Sequence, residues 1–327
     1  PDLVIETKNN CIIQNINNKK IIVKKKPYDY LNKLINNFNF KTSKKLPMMS
    51  AMLAGYFGYD IIRFKEKIPN NCKEDLKIPD VKLIRPQLII IHDNEKNKIF
   101  FVQNIYNLKN IKNLKNLYLL KCDEINKFIA KINNTYNSTE YLNKKKKKNK
   151  IISNVTKNSF LNSISKAKEL INNGEIFQVV LSQRFETILN KTPINFYKKL
   201  RILNPSPFMF FFNFDNFKIA GSSPEILVRV RDNKITIRPI AGTRPRGRNF
   251  KEDNKFQKEL LNDKKEISEH LMLLDLGRND VGKVSKIGSV KVDQKFKIEK
   301  YSHVMHIVSN VVGDFDNKNT LLDTLFS

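Results

Sequence analysis

Residues 226–247 read Ile226-Leu-Val-Arg-Val-Arg-Asp-Asn-Lys-Ile-Thr-Ile-Arg-Pro-Ile-Ala-Gly-Thr-Arg-Pro-Arg-Gly247. Two runs rich in β-branched residues, 226–231 and 234–239, bracket Asp232-Asn233. Asp and Asn tolerate the left-handed backbone that a two-residue hairpin turn requires, so the pair predicts a β-hairpin. Pro239 to Gly247 then reads as a turn-rich basic loop. Gly242 there permits close backbone approach. Thr243 offers a hydroxyl, and Arg244 and Arg246 can pair with carboxylates, so the loop suits a dianionic acid. It lacks the GxxxxGK[ST] pattern of a phosphate-binding loop.

Strand and helix signals alternate on either side of this stretch. Upstream, Phe160, Ile164, Ala167, Leu170 and Ile171 make a helical stripe that Gly174 can end in a left-handed cap. Ile176 to Phe185 reads as a strand, and Phe208 to Phe212 as a fully buried one. Asn204-Pro-Ser-Pro207 is a rigid turn leading into the latter. Downstream, Lys255 to Leu276 reads as one long helix, followed by strands at Val290 to Val292 and Tyr301 to Val312. The first half is also mixed. Ile21 to Lys25 is a strand, Tyr30 to Phe38 a helix, and Leu88 to His92 with Ile99 to Ile105 a hairpin across Asp93 to Lys98. Asp123 to Asn134 is a helix with Ile125, Phe128, Ile129 and Ile132 on one face. The Asn/Lys stretch 133–150 has few apolar anchors and reads as a surface linker. It divides the chain into regions 1–143 and 151–327.

Composition narrows the class. The chain has 327 residues, 40% of them hydrophobic, which suffices for a substantial core. Its apolar runs are short of the about 20 residues a membrane span needs, and no secretory signal is present. Cys11, Cys72 and Cys122 are odd in number and far apart, which argues against a disulfide framework and points to a reducing cytoplasm. The net charge is +28. A nucleic-acid binder would carry such charge on a basic stripe. Here it is spread along the chain, and its only dense run, 144–148, lies in the linker. The charge is therefore read as Lys/Asn filling of surface positions, with neither nucleic acid nor membrane as partner. Pro1 is not an initiator Met, and the apolar pattern of Leu321, Leu322, Leu325 and Phe326 has just begun at the C-terminus. Both ends are expected to be cut.

Two places carry candidate chemistry. Glu266, Glu269 and His270 have the three- and four-residue spacing that puts Glu266 on one helical face with the other two. Two such carboxylates can hold Mg²⁺, which prefers oxygen ligands, although a solvated helix face is the plainer reading. In Tyr301-Ser-His-Val-Met-His306, strand alternation sends His303 and His306 to opposite faces, so they do not share a metal. A lone His306 on a face with Val304 and Val308 is either a hydrogen-bonded core residue or a proton carrier.

Taken together, these segments resemble the chorismate-utilising enzymes and, within them, the anthranilate synthase large subunits. The matching runs are Gly174-Glu-Ile-Phe-Gln-Val-Val-Leu-Ser-Gln-Arg184, Asn204-Pro-Ser-Pro-Phe-Met209, Ser223-Pro-Glu-Ile-Leu-Val228 and Arg238-Pro-Ile-Ala-Gly-Thr-Arg-Pro-Arg-Gly247. Lys265-Glu-Ile-Ser-Glu-His-Leu-Met272, Asp275-Leu-Gly-Arg-Asn-Asp280 and Tyr301-Ser-His-Val-Met-His306 complete them, with Gly55-Tyr-Phe-Gly-Tyr-Asp60 a looser match. The resemblance implies an α+β fold of two large packed β-sheets with helices outside, its C-terminal part missing. It also implies that Mg²⁺-dependent amination of chorismate and loss of pyruvate give anthranilate. The ammonia would come from a glutamine amidotransferase subunit, and tryptophan would be the feedback inhibitor.

Carried over by position, Gly242 and Thr243 match the chorismate loop, with Thr243 also in the catalytic set. Glu269 matches a Mg²⁺ ligand with Glu266 beside it, and His306 and Glu225 match the proton-handling groups. Pro207, Phe208 and Met209 match part of the tryptophan site. Ala241 stands where the related aminodeoxychorismate synthases usually carry a nucleophilic lysine, so ammonia itself is expected to attack. Two departures stand out: the family's N-terminal Leu-Leu-Glu-Ser segment and its segments after Ser327 are missing here. The chain is accordingly expected to hold about half a site and to be inactive alone. The rival functions are aminodeoxychorismate or aminodeoxyisochorismate synthesis and, remotely, nucleic-acid binding.

Overall fold

The computed structural model describes residues 1–8, 11–16, 19–38, 42–106, 113–134 and 149–327. The expected linker falls almost wholly on 135–148, outside the described residues. The chain forms two compact units, one of residues 1–135 with 201–327 and one of residues 136–200.

The larger unit begins with β1 (Leu3–Lys8), β2 (Cys11–Ile16) and β3 (Lys19–Val23). Next come α1 (Pro27–Asn37), β4 (Ala54–Phe57) and β5 (Val81–Arg85). These strands make an antiparallel sheet in the order β3-β2-β1-β5-β4. In β1 buried positions alternate with half-buried ones, so Leu3 and Ile5 enter the core with Ile12, Val81 and Leu83. Leu31 of α1 joins them. β6 (Leu88–Asp93) and β7 (Lys98–Gln103) form the expected hairpin, followed by α2 (Leu114–Asn134), which starts well before the predicted Asp123.

The smaller unit holds β8 (Ile152–Ser153), α3 (Lys157–Asn172), β9 (Phe185–Glu186) and most of α4 (Pro193–Leu203). Thr156 caps α3 by accepting from Ser159 N–H. At its other end, Gly174 at φ +75° allows the paired bonds Gly174 N–H to Ile171 O and Glu175 N–H to Leu170 O, the expected left-handed cap. The strand predicted over 176–185 shrinks to Phe185–Glu186, paired with β8. The sequence has the strand pattern, but among the described residues no ladder pairs with 176–184, and a strand exists only by pairing.

The chain re-enters the larger unit through β10 (Phe208–Asn213) and β11 (Lys218–Ser223), an isolated antiparallel pair. β10 is not fully buried as expected. Phe208 is 44% and Phe210 37% exposed, because β10 has a single partner strand. β12 (Arg229–Arg231) and β13 (Lys234–Ile237) form the predicted hairpin, with Asp232 and Asn233 both left-handed.

Three further expectations change. Pro239 to Gly247 is mostly strand, β14 (Ile240–Pro245), rather than loop. The long helix is two, α5 (Phe250–Asn262) and α6 (Lys264–Val284). Asp263 breaks it: its backbone is extended, and its carboxylate accepts the N–H groups of Lys265 and Glu266 as the cap of α6. Apolar spacing runs on through the break from Leu260 to Ile267 and Leu274, so periodicity could not reveal it. The strand signal at 290–292 extends into β15 (Lys291–Lys300), and the last strand, β16, starts at Val304 and runs to Asp314. Phe296, mid-strand, has positive φ, and the β15–β16 register shifts there.

β16 is the spine of the second sheet. β13 and then β14 pair along one edge, and β15 along the other. Its odd-numbered residues Met305, Ile307 and Val311 are fully buried and cluster with Leu260 of α5 and Leu274 and Val281 of α6. α7 (Leu321–Phe326) carries Leu322 into the core of the first sheet. Asp323, besides completing the α7 capping box with Thr320, accepts from Tyr28 Oη and from Lys65 Nζ at 2.8 Å. Burial alone would raise the Asp323 carboxyl. The bonds from Lys65, Tyr28 and Thr320 outweigh it and hold the group well below the usual carboxylate range.

Candidate active site

Alternation along β16 divides its side chains. The odd residues face α5 and α6, and His306 belongs to the other set, with Val304, Val308 and Asn310. Its direct cross-strand neighbours are Thr243 on β14 and Glu299 on β15. Thr243 Oγ1 lies 3.0 Å from His306 Nδ1, and the Gly242 carbonyl oxygen lies 3.3 Å from the same nitrogen. A carbonyl only accepts, so the tautomer that makes the Gly242 contact a hydrogen bond carries its proton on Nδ1. In that tautomer the lone pair lies on Nε2, away from Thr243 and Gly242.

The backbone makes this possible. The β14–β16 register shifts between Ala241 and Thr243, a bulge, and Gly242 sits there at φ +77°. A Cβ on Gly242 would come within 3.1 Å of Ile307 and 3.3 Å of Leu260, both fully buried. Residue 242 must therefore be glycine for two separate reasons.

Glu225 follows β11 in a turn in which Ser223 Oγ both donates to Glu225 O and accepts from Glu225 N–H. Surrounding protein pushes the Glu225 pKa up although the residue keeps an exposed edge, and a backbone N–H bond from Ile240 partly opposes the rise. A carboxyl raised in this way suits proton donation.

Arg244 and Arg246 turn to the protein's own carboxylates rather than outward to a free acid. Arg244 binds Asp263 at 2.6 Å and Glu266 at 3.1 Å. Arg246 grips Asp253 through Nε and Nη2, and its Nη1 donates to Tyr301 O at 2.7 Å. Asp253 is held well below the usual carboxylate range by Arg246, the Gly247 N–H and the Lys300 charge. Thr243 thus projects from a strand anchored on both sides.

On α6 the three spaced residues separate. His270 is fully buried, with Nε2 2.7 Å from Ser309 Oγ, and Ser309 Oγ also accepts from Phe296 N–H. Burial pushes the His270 pKa down, and the Ala241 carbonyl only partly opposes this. His270 is therefore a core residue. Glu266 and Glu269 are half-buried. Glu266 is paired with Arg244, whereas Glu269 makes no hydrogen bond or ion pair with the described residues. Among those residues no cluster of three or more His, Cys, Asp or Glu could hold a metal. Ser222, paired across the ladder with Met209, donates its hydroxyl to Asn204 O at 2.7 Å and so fixes the turn before Pro207 and Phe208.

A sequence profile of the chorismate binding enzymes matches residues 3–327. The chain belongs to that family. Anthranilate synthase component 1 of Acetivibrio thermocellus is 41% identical over all of this chain and 67% of its own length. The protein of the same name from Aquifex aeolicus is 41% identical over 92% of this chain and 60% of its own. The chain thus spans about two thirds or less of the relatives it matches. The crystal structure of anthranilate synthase component I from Streptococcus pneumoniae TIGR4 superposes with TM-score 0.85 at 29% identity, over 99% of this chain and 69% of that one. The expected α+β fold of antiparallel sheets and helices is therefore the fold of this chorismate binding enzyme. No described helix is long and apolar enough to cross a membrane.

Of the candidate residues, Thr243, Gly242 and His306 come together on one face of the second sheet, and Glu225 reaches β14 through Ile240. Glu266 is tied to the far end of β14 through Arg244. Reading by residue type passed over Arg238, Glu299, Tyr301, Asp253 and Asp263, all of which hold this region. The usable signal was slight: Arg238 directly follows the apolar-alternating run of β13, where a half-buried charge needs a partner, whereas Glu299 stands among the charged residues of β15 and gave none.

Proposed function

We propose that the whole protein is an anthranilate synthase large subunit, acting at the first committed step of tryptophan biosynthesis. It would aminate chorismate with ammonia from a glutamine amidotransferase subunit and eliminate pyruvate to give anthranilate. The observation that carries this reading is the Thr243–His306–Gly242 triangle, in a chain that shares 41% identity with relatives named anthranilate synthase component 1. Ala241 favours it over aminodeoxychorismate synthesis, because a methyl group cannot add to the substrate ring as a lysine can. In this reading residues 1–143 form the N-terminal region and 151–327 the chorismate-binding domain, in the cytoplasm.

The residues fit a Mg²⁺ ion. Glu269 is an uncommitted half-buried carboxylate, and Glu266 lies one turn before it. Mg²⁺ binds through one or two protein carboxylates and completes its shell with waters and substrate oxygens. When bound, the ion neutralises carboxylate charge on the substrate. Glu269 would hold it directly, and Glu266 would assist if Arg244 released it. The Thr243 hydroxyl and the Gly242 backbone would fix the chorismate ring against β14. Glu225, with its raised pKa, would give a proton to the departing C4 hydroxyl as ammonia adds at C2. His306 Nε2 would then accept the C2 proton, Nδ1–H staying on Gly242 O, as the C3–O bond breaks and the enolpyruvyl group departs, taking a proton at its methylene carbon to become pyruvate. Pro207, Phe208 and Met209, on the braced turn into β10, would belong to the tryptophan site.

The test is the His306→Ala variant of the whole protein, assayed for anthranilate fluorescence with chorismate, Mg²⁺ and ammonium. General acid–base roles contribute roughly 10²–10⁴-fold, so kcat should fall by that factor with the fold intact. Retention of more than a tenth of the activity would remove His306 from the chemistry. Aminated chorismate without pyruvate would replace anthranilate synthesis with the aminodeoxyisochorismate reading.

A further inference from the structure

Thr243 and Gly242 hold one side of the His306 ring, and its other side is also supported. Tyr301 packs its ring edge-to-face with the imidazole, with centroids 5.6 Å apart at 63°. The Tyr301 backbone is fixed at both ends, N–H to Val304 O at 2.8 Å and O to Arg246. Its hydroxyl donates to Glu299 Oε2 at 2.9 Å. Glu299 is in turn held by Arg238 Nη2 through its other oxygen, and Arg238 Nε donates to Asn310 Oδ1 at 2.8 Å. Glu299 and Asn310 lie on the same sheet face as His306, since Glu299 is its ladder partner and Asn310 stands four residues along β16. Arg238 and Glu299 are about a quarter exposed, at 28% and 25% of their side-chain surface.

We propose that Arg238, Glu299 and Tyr301 act as one positioning unit that holds the His306 imidazole with Nδ1 on Thr243 and Gly242 and Nε2 toward the reacting atoms. None of the three needs to touch substrate. Their value is geometric: the histidine side chain has two free torsions, and the Thr243 side fixes one edge of the ring only. The Tyr301 ring blocks rotation away from that edge. Glu299 keeps Tyr301 in place, and Arg238 keeps Glu299 in place. The phenol stays a donor throughout. Burial, the Glu299 bond and charge and the nearby Glu225 push its pKa up to about 12, against a smaller opposing pull from Arg238.

This inference rests on His306 being the proton carrier of the proposed reaction, so its test has an arm that does not need turnover. In the whole protein, ¹⁵N-labelled histidine spectra identify the His306 ring nitrogens by their loss in His306→Gln. The parent should show the Nδ1–H tautomer. Tyr301→Ala and Glu299→Ala should each shift the ring toward averaged tautomers, and Tyr301→Phe, which keeps the ring edge, should shift it less. In turnover, a misplaced catalytic group costs up to about 100-fold. Tyr301→Ala and Glu299→Ala should each lower kcat by roughly 10- to 100-fold with KM within threefold, and Tyr301→Phe by less than tenfold. The double variant Glu299→Ala/Tyr301→Ala should be no worse than the poorer single one, because residues acting as a unit are not additive. Unchanged His306 resonances in Tyr301→Ala would overturn the proposal. So would a change confined to KM, or multiplicative losses in the double variant. If the parent makes no anthranilate yet its His306 tautomer depends on Tyr301 and Glu299, the functional reading fails and the positioning unit stands.

Discussion

Replacing Gly242 with alanine tests the bulge on which the Thr243–His306 contact depends. At φ +77° an L-residue is penalised by its Cβ, at roughly 1–2 kcal/mol. The new methyl would also meet Ile307 Cδ1 at 3.1 Å and Cγ1 at 3.3 Å, and Leu260 Cδ1 at 3.3 Å. Both neighbours are fully buried side chains packed together between β16 and α5 and would have to shift by a few tenths of an ångström, and overpacking of this kind costs roughly 1–3 kcal/mol. Together Gly242→Ala should destabilise the larger unit by about 2–5 kcal/mol. That raises its unfolded fraction by roughly thirtyfold to several thousandfold. The assay is urea unfolding of the whole protein followed by circular dichroism, with the slope m unchanged and the midpoint lowered. Gly282→Ala is the matched control. Gly282 lies exposed in α6 at ordinary helical φ with nothing within 4 Å of an added Cβ, so alanine there should stabilise by about 0.5–1 kcal/mol. A Gly242→Ala midpoint equal to that of the parent would show that residue 242 is not strained and that the bulge does not have this shape.

Ser309→Ala should cost about 2–4 kcal/mol, because it leaves the buried His270 Nε2 and the half-buried Phe296 N–H without a partner; equal stability by urea titration would refute that pairing. Asp323→Asn should destabilise by roughly 2 kcal/mol at neutral pH by weakening its bonds to Lys65 and Tyr28. The Asp323 pKa is depressed in the folded state, so its contribution is present above the unfolded carboxyl value of about 3.9 and is lost as pH falls below it. The stability difference between parent and variant should therefore vanish in acid, and a constant difference across that range would contradict the assignment. Glu225 shifts the other way. Its raised folded pKa means that ionisation is costly in place, so the parent should lose stability as pH rises above about 4.3, and Glu225→Gln should lack that loss.

Local chemistry in the sequence gave the elements that depend on it. Asp232-Asn233 specified its hairpin, Gly174 its left-handed cap, and Leu31 with Leu34 and Ile35 the inward face of α1. What stayed hidden depends on partners distant in sequence. The strand pattern at 176–185 had no ladder to join, and Phe208 and Phe210 are exposed because β10 has one neighbour. Pro239 to Gly247 looked like a loop because its proline and glycine mark turns, whereas here they frame a bulged strand. The break at Asp263 is a capping event that leaves the apolar period untouched. The candidate residues Thr243, Gly242 and His306 do meet, and their number spacing alone could not have shown it. Glu266 and Glu269 were legible as a pair on one face, but Arg244 as the partner of Glu266 was not. Nor was the burial of His270, which the same spacing had grouped with them.

The most direct measurement incubates the whole protein with chorismate, Mg²⁺ and an ammonium salt and follows anthranilate fluorescence and pyruvate together. The account predicts equal amounts of the two, abolished by chelation of Mg²⁺ and cut at least a hundredfold in His306→Ala, which would retain the parent fold. An aminated product without pyruvate, or undiminished turnover in His306→Ala, would contradict it.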